Sequence, residues 1–360
     1  MAGVTPAEVP RAGTPDRRRR RRLAWALVAT APLVAEFASG NLPVIYVWLL
    51  AIYAPLYGGA AVLIRDVGRR SARPWPVIFT LGLAYGVVEE SFISFSLFNP
   101  DYADLRLLDF GWIPALGIGS WWTTFVVLLH AVWSICVPIA LVEALAGDLA
   151  DRPWLTPRGL AWAVLAIGLG GVATAGITLS EDDFVPSSAH LAGAAVAVMA
   201  LIALAGWLAR TPRRPSRAAG DGAAPPGAPP ELAAFGQPVV PAGVAPKPQW
   251  AAAAAVSATL LFVAGAAQIG PAPAVVTVYL VLVAWGVTAV GRWSARSGWS
   301  PRHRLALAAG ALVPHLAFAV AQRSLVEVPL WLNLLGDLIF ILGTTTLVMV
   351  GWRAVGRSAP

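Results

Sequence analysis

The sequence predicts an all-α fold: a polytopic transmembrane helix bundle of about ten spans, with both termini cytoplasmic. Three observations carry this. Of 360 residues, 58% are hydrophobic and only 12% charged, whereas soluble domains carry roughly 25% charged residues. Mean hydropathy is +0.68. The apolar residues fall into segments close to the roughly 20 residues that cross about 30 Å of hydrocarbon. Finally, the basic residues sort to one side when ten segments are counted.

Taken in order, residues 1–22 form a basic cytoplasmic tail ending in Arg17 to Arg22. Basic residues before an apolar run also describe a secretory signal. A retained first span, 23–42, fits better, because Glu36 sits where a cleavable apolar region should end and more spans follow. The next spans are 44–64, 76–98, 120–145, 159–179 and 189–209, so 23–209 is a six-span region. Residues 210–249 hold ten prolines without apolar periodicity, the composition of a disordered cytoplasmic linker. Spans 250–269, 272–291, 305–323 and 329–350 make a four-span region over 250–352, and 353–360 is a cytoplasmic tail. The six-and-four division shows no internal repeat and argues against a duplicated transporter.

Of the 26 basic residues only Arg106 and Arg323 fall on the outer side, which instead collects Asp101, Asp104, Asp109, Glu181, Asp182, Asp183 and Glu327. The net charge of +7 therefore reads as topology and not as nucleic-acid binding. The expected partners are the lipid bilayer and, at the arginine-rich cytoplasmic face, anionic headgroups. One lysine against 25 arginines, with abundant Ala, Gly and Pro, suggests GC-rich coding and a bacterial plasma membrane. Trp75, Trp121, Trp122, Trp154, Trp250, Trp293, Trp331 and Trp352 fall at span ends and read as an interfacial belt. The outer loop 99–120 is too apolar for a free loop; it either lies on the membrane surface, folds over the helices as a lid, or packs on neighbouring spans.

Function is sought among polar groups at membrane depth, since a charge at helix centre costs at least about 2.5–3.5 kcal/mol. Glu89 and Glu90 stand side by side about 20 Å into the third span. His130 lies about 15 Å below the outer end of the fourth. Glu36, His315 and Asp337, with Asn333 one turn above it, lie at similar depth, making a polar layer. Helical spacing puts Tyr85, Glu89 and Ser96 on one stripe, and Thr123, His130 and Ser134 on another. Gly82 and Gly86 permit close helix approach beside them. His190 opens the sixth span and reads more simply as an interfacial histidine. Glu143 is expected to reach the surface, Asp66 to form a surface ion pair with neighbouring arginines, and His303 to be solvated.

Glu89 and Glu90 should not both ionise in a low dielectric, and a shared proton with His130 nearby is minimum equipment for activating water or relaying protons. The plain alternative is a hydrogen-bond network that locks helices together. No cofactor is predicted, and the metal question stays open. The lone Cys136 excludes a disulfide framework or cysteine-based metal site within the chain. P-loop, dinucleotide, His-Glu-x-x-His and Gly-x-Ser-x-Gly motifs do not occur.

The pair Glu89-Glu90 late in one span, with His130 in the next, resembles the CPBP group of intramembrane proteases, which includes the CAAX prenyl endopeptidases. That family pattern is Glu-Glu-x-x-x-Arg, Phe-x-x-x-His and His-x-x-x-Asn on separate helices. Here Ser94 stands at the arginine position and Val126 at the phenylalanine position, beside Phe125. The third motif has two candidates, His190 with Ala194 and His315 with Ala319. The resemblance covers about residues 76–194 and implies that Glu89, Glu90 and His130 position a water for peptide hydrolysis. Three functions follow as expectations: an intramembrane hydrolase or its inactive relative, a proton- or ion-coupled transporter, and a non-catalytic scaffold. The substrate is not legible.

Overall fold

The computed structural model describes residues 14–211, 243–321, 324 and 326–357. Expectations for residues 1–13, for 212–242 of the 210–249 linker, for Arg323 and for the last three residues lie outside these. The described chain is all-α and polytopic, with one short hairpin. Its helices are α1 (Thr14–Pro32), α2 (Leu50–Tyr53), α3 (Gly59–Arg69), α4 (Pro74–Phe92), α5 (Ser120–Leu129), α6 (Val137–Ala146), α7 (Pro157–Glu181) and α8 (Ser188–Arg210). After the linker come α9 (Pro248–Ala264), α10 (Ala272–Trp293), α11 (Pro301–Ala321) and α12 (Leu330–Arg357). Four begin on proline, which fits the first helical position because that N–H has no partner there. Thr156 and Ser187 cap α7 and α8 by accepting from the Gly159 and His190 amides.

By length and composition, eight helices among the described residues can cross a membrane. The segments expected at 23–42 and 76–98 are helical too, but are not among the eight. The first joins an arginine run to its apolar part, and the helix in the second, α4, ends at Phe92 after two glutamates. Residues 93–99 are not helical, so the third segment is shorter than its apolar run suggested.

The centre of the bundle is the Ser120–Leu149 span, 83% buried over its apolar window, whereas the same measure is 11% for α8, α10 and α12. α4 packs against this central span. A Cβ on Gly82 would lie 3.1 Å from Ala131 Cα, and one on Gly86 3.1 Å from His130 Cβ. The two glycines thus bring the acidic helix against the histidine-bearing one, as their spacing implied.

Three prolines disturb the helical ladder. A proline has no amide hydrogen, so the carbonyl four residues earlier loses its donor. Pro32 precedes a π turn over Leu33–Phe37, Pro55 lies inside one over Ala54–Gly58, and Pro138 follows one over His130–Cys136. Near the first, the chain of Gly58 passes so close to Val28 that an added Cβ would sit 2.3 Å from the Val28 carbonyl oxygen, whose regular α-helical donor would be the missing amide of Pro32.

At one end of the bundle, a charged lock ties α3 to α6. Arg65 is 0% exposed. Its Nε donates to Glu143 Oε1 at 3.0 Å, its Nη1 to the Arg152 carbonyl at 3.0 Å, and its Nη2 to the Ala150 carbonyl at 2.6 Å. Its guanidinium lies 3.3 Å over the Trp154 ring. Arg69 donates to both oxygens of the same Glu143. Asp66 accepts from the Trp154 and Leu155 amides and from Arg70. Glu143 and Asp66 are therefore buried structural groups, not the surface groups expected, because the loop 147–155 folds back over them. His303 is likewise buried: its Nε2 donates to the Pro246 carbonyl at 2.7 Å while Nδ1 accepts from the Ser300 amide. Two tryptophans of the expected belt are also interior. Trp121 donates to the Gly265 carbonyl and Trp154 covers Arg65, whereas Trp250 and Trp331 are exposed as a belt requires.

Glu143→Ala leaves two arginines without their shared carboxylate, and breaking a buried pair from one side costs about 3–5 kcal/mol. A thermal melt of the detergent-solubilised protein should fall accordingly. Asp151→Ala, at a mostly exposed carboxylate touching Arg69 and Arg304, should change stability by no more than about 1 kcal/mol. Equal melting of both variants would refute the lock.

Candidate functional site

The acidic pair sits where α4 stops. Ile93 and Ser94 both direct their amides to the Glu89 carbonyl, and Phe95 then turns left-handed with φ 60°. A non-glycine residue there is strained. The turn brings Ser94 and Ser96 onto one carboxylate oxygen. The Ser94 hydroxyl donates to Glu90 Oε2 at 2.9 Å, and the Ser96 hydroxyl donates to the same atom. Ser96 in turn accepts from Trp122 Nε1 at 3.0 Å. Ser96 therefore joins the site through a break in the helix, not through the helical stripe expected from its spacing.

His130 opens the central π turn, so its side chain leaves the helix at an angle that regular α geometry would not give. Its Nε2 lies 2.7 Å from Glu90 Oε1 and 3.4 Å from Glu89 Oε2. Its Nδ1 lies 3.0 Å from the Ser134 hydroxyl. The ring stacks on Tyr57 with centroids 5.9 Å apart and meets Tyr85 edge-on at 5.8 Å. His130 is 3% exposed, and Glu89 and Glu90 are also buried. One ligand-type atom from each of these three residues falls within 4.8 Å of the others.

Glu36 approaches from the first π turn, with the Tyr57 hydroxyl and Asn41 in hydrogen-bonding reach and with His130 and Glu90 as its charged neighbours. Tyr57 comes from the second π turn. Tyr102, in the 99–120 loop, has Glu90, Glu89 and Glu36 among its charged neighbours. That loop carries Ala103, Asp104 and Arg106 at positive φ and a hairpin pairing Trp112–Ile113 with Ile118–Gly119. Leu107, Leu108 and Phe110 of residues 99–120 pack on the core, while Leu105, Trp112 and Leu116 are exposed.

Six sequence-predicted residues thus converge: Glu36, Tyr85, Glu89, Glu90, His130 and Ser134. The others do not. His190 stacks on Phe98 at 4.7 Å, at the start of α8. His315 stacks on Trp133 at 4.9 Å. Asp337 lies beside Phe37, Ala319 and Phe340, and Asn333 is partly exposed near the start of α12. Neither candidate for a third motif histidine reaches the glutamates. Thr123 also stays apart, its buried hydroxyl without a partner among the described residues. Sequence reasoning missed Tyr57, Tyr102, and the role of Ser94 as a Glu90 donor. Pro55 and Pro32 were the available signal for Tyr57, since each can misalign a helix and turn a side chain inward.

The two glutamates differ in freedom. Both Glu90 oxygens are engaged, one by His130 and the other by two serines. Glu89 has a 3.4 Å approach to His130, a 3.5 Å contact from Ser94 and the neighbouring Glu90 carboxyl. Glu90 can orient the imidazole, and Glu89 is left as the carboxylate able to take a proton.

Comparison with curated proteins and with solved structures found no match. The family model described as "Uncharacterized membrane protein family" matches residues 26–351, the greater part of the chain and all of this site, and the chain belongs to that family.

Proposed function

We propose that the protein is an intramembrane hydrolase in which Glu89 activates water against a carbonyl held beside His130. The observation that carries this reading is the convergence of Glu89, Glu90 and His130 within 4.8 Å in the buried centre of the bundle. Glu89 takes a proton from water, the hydroxide adds to the carbonyl carbon, and the proton passes to the departing nitrogen. Glu90 and Ser134 hold His130 through its two ring nitrogens, so the ring acts on the negative charge formed on oxygen through its own positive charge when protonated. The likeness of this pair and histidine to CPBP proteases supports the same chemistry. Ser94 in place of arginine, and no second histidine at the glutamates, set this site apart from that pattern.

A transporter would be served by a continuous layer of ionisable groups. The stacking of His315 on Trp133, away from the glutamates, favours a local site instead. As to setting, the proposed arrangement is ten spans in a bacterial plasma membrane with cytoplasmic termini. The six-span region carries the site, and the arginine-rich face meets anionic headgroups.

Two experiments test these readings. Membranes from cells producing the wild type should contain cleaved membrane proteins whose new N-termini, read by mass spectrometry, disappear with Glu89→Gln. Identical N-termini in the two would sink the hydrolase. For orientation, Asp101→Cys in a Cys136→Ser background should react with an impermeant maleimide in intact cells, and Arg18→Cys only after permeabilisation. The reverse order would invert the topology.

A further inference from the structure

We propose that the Tyr85 hydroxyl donates a hydrogen bond to the oxygen of the scissile carbonyl as that oxygen becomes negative. The proposal rests on the hydrolase reading above and adds a catalytic residue to it.

An oxyanion formed at this site needs a donor that is not already bonded. The other donors placed there are committed. Glu90 Oε2 takes the hydroxyls of Ser94 and Ser96, and Ser96 takes the indole N–H of Trp122. The two nitrogens of His130 lie on Glu90 and Ser134. The Tyr57 hydroxyl bonds Glu36. His190 and His315 stack on Phe98 and Trp133, away from the glutamates.

Tyr85 is the exception. It stands one helical turn before Glu89 on α4 and is 6% exposed. Its ring is held on two sides, meeting both His130 and Tyr57 edge-on with centroids 5.8 Å apart. Its hydroxyl has no hydrogen-bond partner among the described residues, although Glu89, Glu36 and Glu90 are the charged groups around it. A phenol kept for packing alone costs the desolvation of its O–H, and phenylalanine would fill the same space without that cost. A free donor beside Glu89, fixed by its ring, is the preorganised arrangement that stabilises charge developing in a transition state.

Glu89 takes the proton from water as the water oxygen bonds the carbonyl carbon, and the π pair of the C=O bond moves onto oxygen. Tyr85 donates to that oxygen without losing its own proton. The pair then returns, the C–N bond breaks, and the nitrogen leaves with the proton held by Glu89. The hydrogen bond strengthens as charge builds on oxygen, so its contribution falls on kcat and not on substrate binding.

The test uses the full chain in liposomes. Its probe is a fluorogenic peptide spanning a cleavage site read from the Glu89-dependent N-termini. Tyr85→Phe should lower kcat about 100- to 1,000-fold and keep KM within about threefold of the wild type. Its melting temperature should equal or exceed that of the wild type, because an unpaired buried hydroxyl has been removed. A phosphinate analogue of the peptide, with tetrahedral oxygens in place of the carbonyl, should lose affinity by a similar factor. Activity lost together with a lowered melting temperature, or a change in KM alone, assigns Tyr85 to packing and overturns the proposal. Meta-fluorotyrosine in place of Tyr85 keeps both ring and hydroxyl, and carries the test should Tyr85→Phe fail to fold. Its fluorine resonance should shift when the phosphinate binds, and an unmoved resonance overturns the proposal. Glu89-dependent cleavage that keeps its kcat in Tyr85→Phe overturns the proposal and leaves the hydrolase standing. The absence of any Glu89-dependent N-terminus overturns both.

Discussion

Burying a carboxylate inside a lipid bilayer is the constraint from which the rest of this structure follows. Lipid offers no donors, so the chain must supply them. It does so in two different ways at two depths. At the end of the bundle where α3 and α6 meet, Glu143 is met by two guanidinium groups, and the spare N–H groups of Arg65 go to backbone carbonyls. In the interior Glu90 is met by two hydroxyls and an imidazole. The first solution uses full opposite charges and holds α3 to α6. The second uses neutral donors and one titratable group, so its state depends on where protons or other cations sit. A lock needs the first kind of chemistry, and a site that changes state during a reaction needs the second.

The interior solution is reached by spoiling regular helices. A straight α-helix projects its side chains at fixed angles, and its own backbone leaves no spare groups. Here three π turns and one early helix stop surround the glutamates. Glu36, Tyr57 and His130 each stand on a π turn, and Glu89 and Glu90 stand on the last turn of α4. Prolines at 32, 55 and 138 account for the π turns through the missing amide hydrogen. The left-handed Phe95 accounts for the two serines reaching one oxygen. Irregular backbone at membrane depth is tolerated only where protein surrounds it, which explains why the site lies against the most buried span.

Much of this was legible in the sequence. The helical class follows from apolar segment length. Glu89, Glu90 and His130 were marked by the cost of charge in hydrocarbon, and their meeting was foreshadowed by Gly82 and Gly86. What escaped were features that depend on tertiary contacts. Asp66 and Glu143 looked superficial because position along a span says nothing about a loop folding back over it. Depth alone grouped His315 and Asp337 with the glutamates, although depth fixes only one of three coordinates. Ser96 was placed on a helical stripe because nothing in Ser94-Phe95-Ser96 announces a left-handed turn at a phenylalanine.

Ser94 deserves a physical reading of its own. In the pattern this pair resembles, an arginine follows five residues after the first glutamate. A guanidinium there would bring a permanent positive charge to the carboxylates. Serine brings a donor without charge, at 2.9 Å from Glu90. The glutamate gains a hydrogen bond from Ser94, and none of its charge is offset by it. The demand for positive charge then shifts to His130, the one titratable base in contact with both carboxylates. His130 has little room to move, being stacked on Tyr57, edged by Tyr85 and bonded to Ser134. With a serine and no arginine beside the carboxylates, the charge balance of this site must come from a proton or a bound cation.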